Sequence, residues 1–186
     1  MNSDVTVSLD SERRIICHNS HNEDWNVTLV YTGLETKKGA RIKMVEPYLD
    51  GDRFMVTYGD GVSDVNIDEL IAHHEREGVL ATFTGVHPIS RFATVERDEG
   101  GQICDWNEKA PLEGYMNAGF FVFEKAVLDY IEGDIELEEQ PMKRLAQEGQ
   151  LAMFRHNSFW QCMDTYRDYS LLTELWERGN APWKVW

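Results

Sequence analysis

The sequence predicts an α/β fold, and three observations carry that prediction. Phe54-Met55-Val56-Thr57-Tyr58 is an apolar, β-forming run that stops at Gly59-Asp60-Gly61, as a buried strand entering a tight turn does. A helix-spaced segment and another apolar run follow, giving strand, helix, strand: a βαβ unit, for which a right-handed crossover is expected. A second apolar run, Phe159-Trp160-Gln161-Cys162-Met163, also ends on an acid, Asp164, beside the start of a helix. The lack of alternation in 54–58 is expected of a parallel strand covered on both faces. Ligands of open α/β sheets bind beyond the carboxyl ends of the strands. Asp60 is therefore a candidate site residue, flanked by glycines that let a ligand approach the backbone. Gly-Asp-Gly is also an ordinary turn sequence, and Asp60 alone does not separate the two.

The elements follow in order. Val5-Thr6-Val7 and Arg14-Ile15-Ile16-Cys17-His18 flank Asp10-Ser11-Glu12 and read as an edge hairpin. His18 and His21 lack nearby partner ligands and read as solvated loop residues. Trp25 to Thr32 predicts a strand. A loop from Gly33 to Gly39 leads to a short helix over 40–46, ended by Pro47. Lys37, Lys38, Arg41 and Lys43 form a basic cluster, which on its own reads as a solvated face. Asn66 with Glu69 resembles a capping box, Ile67, Leu70 and Ile71 have helical spacing, and Gly78 stops that helix. His73 and His74 on it read as surface or packed residues rather than ligands.

Strands are predicted at 79–84 and 116–123, with a hairpin of 92–96 and 102–106 between them. Residues 125–132 are expected to be helical. Pro141 suits the first turn of a helix ending at Gly149, and 151–154 a short strand. Thr165 caps a last helix, with Asp168 three residues on. Tyr169, Leu172, Leu175 and Trp176 form its apolar stripe, read as core, and Gly179 ends it.

Composition bounds the function. The 186 residues are 42% hydrophobic, 11% aromatic and 27% charged, which suits a single globular domain over 1–186. A formal net charge of −15 repels nucleic acid and anionic membranes, so neither is an expected partner. A phosphorylated substrate would need a divalent cation or locally placed Lys and Arg. No apolar run has the length of a membrane span and no signal peptide is visible. Cys17, Cys104 and Cys162 lack Cys-x-x-Cys spacing and read as reduced thiols of a cytoplasmic protein. If the strands before Asp60 and Asp164 lie in one sheet, both carboxylates can face one crevice. Mg²⁺ favours such hard oxygen ligands, commonly one or two carboxylates plus substrate phosphates. Alone, Asp164 reads better as a residue that merely caps its helix.

At this point the chain resembles the sugar nucleotidyltransferases, and within them the glucose-1-phosphate cytidylyltransferase branch. The residues that carry the resemblance are Trp25 to Val30, Thr57-Tyr58-Gly59-Asp60-Gly61-Val62-Ser63-Asp64, Arg91-Phe92, Glu108-Lys109, Asn117 to Val122, Phe159 to Thr165, and Ala181 to Trp186. The resemblance implies a doubly wound nucleotidyltransferase-like mixed sheet with a small hairpin subdomain. It implies the reaction of CTP with α-D-glucose 1-phosphate to CDP-glucose and pyrophosphate, with Mg²⁺ as cofactor. Asp60 and Asp164 match the family's magnesium-binding aspartates. Thr36, Arg41 and Gly59 match nucleotide-contacting positions. Glu108 and Lys109 match the pair that holds the sugar phosphate, with Lys109 also catalytic, and Asn117 and Gly119 match the sugar-side strand.

The sequence departs from that pattern in places. The family's first strand and its Gly-Gly-x-Gly-Thr-Arg loop, which cradles phosphates with backbone N–H groups, find no counterpart in these 186 residues. Cys162 stands for a family proline, Ala110 interrupts Glu-Lys-Pro, and Ala118 stands for a glycine. The expectation is an N-terminally truncated domain of weak or no turnover alone, in which a homodimer or higher homo-oligomer covers an exposed sheet edge. Two other readings stay open. One is a sugar-phosphate or nucleotide-binding module without catalysis. The other is a subunit that needs a separate N-terminal segment.

Overall fold

The computed structural model describes residues 4–8, 15–18, 25–88, 92–108 and 113–185. Contacts divide the chain into two units, Met1–Tyr31 and Thr32–Trp186. In the first, β1 (Asp4–Val7) pairs antiparallel with β2 (Ile15–His18), with Val5 opposite Cys17. These are the expected hairpin strands; their connection lies outside the described residues.

The strand expected over 25–32 does not form: its backbone is irregular throughout. Trp25, Val27, Leu29 and Tyr31 alternate as a strand's residues would, yet are 77%, 73%, 91% and 88% exposed. Strand-forming residues are stabilised by cross-strand neighbours, and among the described residues this segment has no ladder partner.

The second unit is built on a four-stranded mixed sheet in the order β3-β8-β5-β9. Its strands are β3 (Arg53–Thr57), β5 (Ala81–Val86), β8 (Met116–Glu124) and β9 (Leu151–His156). β3 and β5 each run antiparallel to β8, and β5 is parallel to β9. Residues 54–58 are thus not the fully covered parallel strand expected. They end a β3 that is an edge strand, where Met55 is 42% exposed. The longest apolar run, with Phe121, Val122 and Phe123 all buried, occupies the interior instead. β3 and β5 are parallel to one another, so the expected βαβ unit exists with β8 interposed.

The helix of that unit, α2 (Ile67–Glu77), follows its sequence signals. The Asn66 side chain accepts from the Glu69 N–H at 3.2 Å, and Gly78 ends the helix at φ +62°. His74 is buried; its Nδ1 lies 2.8 Å from the Thr82 hydroxyl and its Nε2 3.1 Å from Glu124, which Arg53 also holds at 2.8 Å. Burial works against the Glu124 charge, but Arg53 and His74 outweigh it and keep this carboxyl below its usual range. Of the two histidines read as surface or packed residues, His73 lies against the Phe154 ring.

The core gathers Phe121, Phe123, Val127, Leu128, Leu137 and Leu145. Each large apolar side chain fully buried there contributes roughly 1.5–3 kcal/mol. The segment after β8 is a 3₁₀ helix, Lys125–Tyr130, and Pro141 opens α3 (Gln140–Gln147) as predicted. α1 spans Lys38–Met44; Pro47 does not end it but starts a 3₁₀ turn, Glu46–Tyr48. The remaining hairpin is β6 (Thr94–Arg97) with β7 (Ile103–Asn107), whose residues are mostly exposed. β4 (Gly61–Ser63) and β10 (Trp160–Cys162) pair with each other, apart from the main sheet. α4 (Tyr166–Glu177) has the full capping box between Thr165 and Asp168. Its stripe is core only at Leu172; Tyr169 and Trp176 are half exposed, and Lys184 lies 5.2 Å from the Trp176 ring centre.

Candidate active site

The two segments that carry the acids meet by a route the sequence did not indicate. β10 does not join the main sheet. It pairs antiparallel with β4, with Ser63 opposite Trp160 and Gly61 opposite Cys162. The ladder continues one step, and the Met163 N–H donates to the Asp60 carbonyl at 2.8 Å. Asp60, in the turn after β3, and Asp164, just before the α4 cap, therefore sit at the same end of one short ladder. Both are exposed, and the Cys162 thiol lies 3.2 Å from Asp164 Oδ2. Among the described residues no group of three His, Cys, Asp or Glu gathers as a metal site. A donor set of two exposed carboxylates at one ladder end remains, which suits Mg²⁺ taking its other ligands from phosphate and water.

Beside this ladder lies a cleft of about 790 Å³ lined by Asn117, His156, Ser158, Trp160, Gln161 and Asp164, among others. It brings Asn117, which the resemblance assigns to the sugar-side strand, and Asp164 to one space. Asn117 is held at both ends: its Oδ1 accepts the Gly119 N–H at 2.9 Å, and its Nδ2 lies 3.4 Å from the Tyr58 hydroxyl. Gly119 is a backbone requirement, since its φ is +82° and a Cβ would meet the Tyr58 ring at 2.7 Å. Gly59, in the turn with Asp60, has open space around it.

Tyr58 leads to the basic end of the site. Its hydroxyl donates to Glu138, and the Lys38 ammonium donates to the same Glu138 oxygen at 2.5 Å while lying 5.1 Å from the Tyr58 ring centre. Burial and the neighbouring carboxylate both push the Tyr58 hydroxyl upward in pKa. Burial acts against the Glu138 charge, but the bonds from Lys38 and Tyr58 prevail and hold this carboxyl below its usual range.

Thr36 and Arg41 lie at that end too, on α1 and the loop before it. Arg41 spends its fork on the loop: Nε donates to Thr36 O at 2.7 Å, one Nη to Thr32 Oγ1 at 2.7 Å, and the other to Leu34 O at 2.9 Å. The Thr36 hydroxyl donates to Thr32 O at 2.5 Å. As placed, both residues shape the loop. Glu108 is exposed just after β7. Lys109 and Arg91 lie outside the described residues. Glu138 and His156 were not singled out from the sequence; Tyr58 stood in the run before Gly59-Asp60, and Lys38 in the basic cluster that on its own reads as a solvated face.

A cleft at the carboxyl ends of the parallel strands β5 and β9 is where open α/β sheets bind their ligands. The chain belongs to the nucleotidyl transferase family, whose sequence profile matches residues 2–177. It is similar to glucose-1-phosphate cytidylyltransferase of Salmonella typhi, 44% identical over 187 residues that cover 99% of this chain and 72% of that one. A probable glucose-1-phosphate cytidylyltransferase of Bacillus subtilis is 35% identical over 183 residues, covering 97% of this chain and 72% of that one. In fold it is similar to HddC from Yersinia pseudotuberculosis, with a TM-score of 0.58 at 19% identity over 76% of this chain and 63% of that one. This chain thus spans under two thirds of that neighbour's length.

Proposed function

We propose that this chain carries the metal and sugar-phosphate part of a CDP-glucose-forming nucleotidyltransferase. In that reaction a phosphate oxygen of α-D-glucose 1-phosphate attacks the α-phosphorus of CTP. The bond from that phosphorus to the bridging oxygen breaks, and its electron pair leaves on pyrophosphate. Such transfers depend on positioning and charge neutralisation more than on covalent catalysis. Asp60 and Asp164 would hold Mg²⁺, which offsets phosphate charge when bound. Asn117 and Gly119 orient the sugar, Glu108 and Lys109 hold its phosphate, and Lys109 fixes the attacking oxygen. Thr36, Arg41 and Gly59 face the nucleotide, Arg41 chiefly by ordering the 32–36 loop.

The observation that supports this reading most is the Met163-to-Asp60 backbone bond, which joins the two segments that carry these acids, distant in sequence. The test is pyrophosphate release from CTP, glucose 1-phosphate and Mg²⁺. The expected result is slow, Mg²⁺-dependent release that rises when a glycine-rich phosphate loop is supplied on a separate polypeptide. Loss of one preorganised donor alone costs ~10²–10³ in rate. No release under either condition, with no binding of CDP-glucose, contradicts the proposal. Binding of CDP-glucose without turnover favours the non-catalytic module.

We also propose a homo-oligomer in a cytoplasmic setting. The edge strand β3 and the groove formed by Met55, Val56, Thr57, Ile67 and Phe120 expose apolar surface that a second copy would cover. A clean monomer in light scattering at micromolar concentration contradicts this.

A further inference from the structure

We infer that His156 is a sugar-binding residue of the cleft, its Nδ1 accepting a hydrogen bond from a hydroxyl of the sugar phosphate. The inference rests on the function proposed above and adds a residue to it.

His156 closes β9 and is 8% exposed, yet it lines the cleft. Its Nε2 faces only acceptors. The Ser63 hydroxyl oxygen lies 3.1 Å away, and that hydroxyl spends its own hydrogen on Phe159 O at 2.8 Å. Phe159 O lies 3.0 Å from Nε2 as well. Asp64 Oδ1, buried and without a hydrogen bond, lies 3.0 Å from the same nitrogen and acts on it through charge. Asp64 is itself fixed, its Oδ2 accepting from the Ser158 hydroxyl at 2.6 Å. Three acceptors around Nε2 place the ring hydrogen there, because a bare nitrogen would meet only lone pairs.

With the hydrogen on Nε2, the lone pair of a neutral imidazole lies on Nδ1. Among the described residues no protein group is bonded to that nitrogen, and Nδ1 is not a buried orphan. It is left for something in the cleft. The lining includes the amides of Asn117 and Gln161, the Ser158 hydroxyl, the Trp160 indole and one cation, Arg167. Ser158, Trp160 and Gln161 donate to protein partners, namely Asp64, Ala118 O, and Cys162 O with Asp168, so the cleft presents chiefly acceptors, which suits the hydroxyl donors of a polyhydroxylated ring. An acceptor nitrogen on a ring anchored to the Asp64 carboxylate suits a hydroxyl better than an anion. The anchoring by Asp64 and Ser63 fixes the ring in advance, which lowers the cost of binding.

The test is calorimetric titration of the whole chain with α-D-glucose 1-phosphate in Mg²⁺, and separately with inorganic phosphate. His156→Gln keeps a donor near the Nε2 position and removes the acceptor at Nδ1. His156→Asn keeps a polar atom at Nδ1 and gives up the anchor. The expected result is about tenfold weaker glucose 1-phosphate binding for His156→Gln, a smaller loss for His156→Asn, and unchanged inorganic phosphate binding in both. In the wild type, the His156 ¹⁵Nδ1 resonance should move with glucose 1-phosphate and not with phosphate; this needs no variant to fold. Equal losses in both variants, or an unmoved resonance in a wild type that binds the sugar phosphate, overturn the inference alone. A wild type that binds no sugar phosphate overturns the proposed function, and this inference with it.

Discussion

The two ends of the site are built by different means. At the acidic end, Asp60 and Asp164 are placed by backbone: a short β4–β10 ladder and the Met163-to-Asp60 bond fix them whatever their side chains do. At the basic end, position depends on side chains. Arg41 holds the 32–36 loop by three hydrogen bonds, and Lys38, Glu138 and Tyr58 tie α1 to the end of β3. The contrast decides which end tolerates substitution. Replacing an acid should alter chemistry without altering shape, whereas replacing a base should alter shape first.

The largest effect is expected where the two ends meet. Gly119→Ala puts a Cβ at φ +82° and 2.7 Å from the Tyr58 ring, which should cost roughly 2–4 kcal/mol and displace Asn117. Urea denaturation measures the cost; a loss under 0.5 kcal/mol (an order-of-magnitude threshold, set by ordinary surface changes) would mean that Tyr58 yields freely and couples nothing.

Arg41→Ala comes next. It frees the Thr36 and Leu34 carbonyls and the Thr32 hydroxyl, at a cost of roughly 1–3 kcal/mol. Amide exchange should quicken over 32–36 and stay unchanged at Gln161–Met163. Quickening at both places would break the contrast between the ends.

Glu138→Gln gives a smaller effect with a pH signature. The Glu138 carboxyl lies below its ordinary value in the folded chain. Its contribution is therefore present above the unfolded carboxylate pKa of about 4.3 and is lost as pH falls through the folded value. The gap in melting temperature between wild type and Glu138→Gln should be widest near neutrality and close in acid. A gap that widens in acid contradicts the direction of the shift. Smallest is Thr165→Ala, which removes the α4 cap beside Asp164 at about 1 kcal/mol by thermal or urea unfolding.

What the sequence reveals follows the same division between local and distant interactions. The caps at Asn66 and Thr165, the glycine stop at Gly78 and the proline opening α3 are local chemistry, and each is legible over a few residues. Pairing is not. The run before Asp164 looks like a sheet strand, but its partner β4 is a three-residue segment with no apolar signal of its own. Residues 25–32 have strand chemistry and no partner among the described residues. Tertiary neighbours decide such cases. The acids were legible because each follows an apolar run. His156 and Glu138 were not, because a histidine closing a strand and a glutamate in an acidic segment have meaning only through Asp64 and Tyr58, which lie far off in sequence.

The central claim is that Asp60 and Asp164 share one cation with a bound sugar nucleotide. The most direct measurement is the melting temperature with CDP-glucose, with and without Mg²⁺, for wild type, Asp60→Asn and Asp164→Asn. At ligand near 100 times its Kd, the wild type should gain about 5–10 °C, and Mg²⁺ should account for most of that gain. Both variants should melt near the wild-type temperature without ligand and lose the Mg²⁺-dependent part. Either variant keeping the full Mg²⁺-dependent gain would show that the two carboxylates do not hold the ion together.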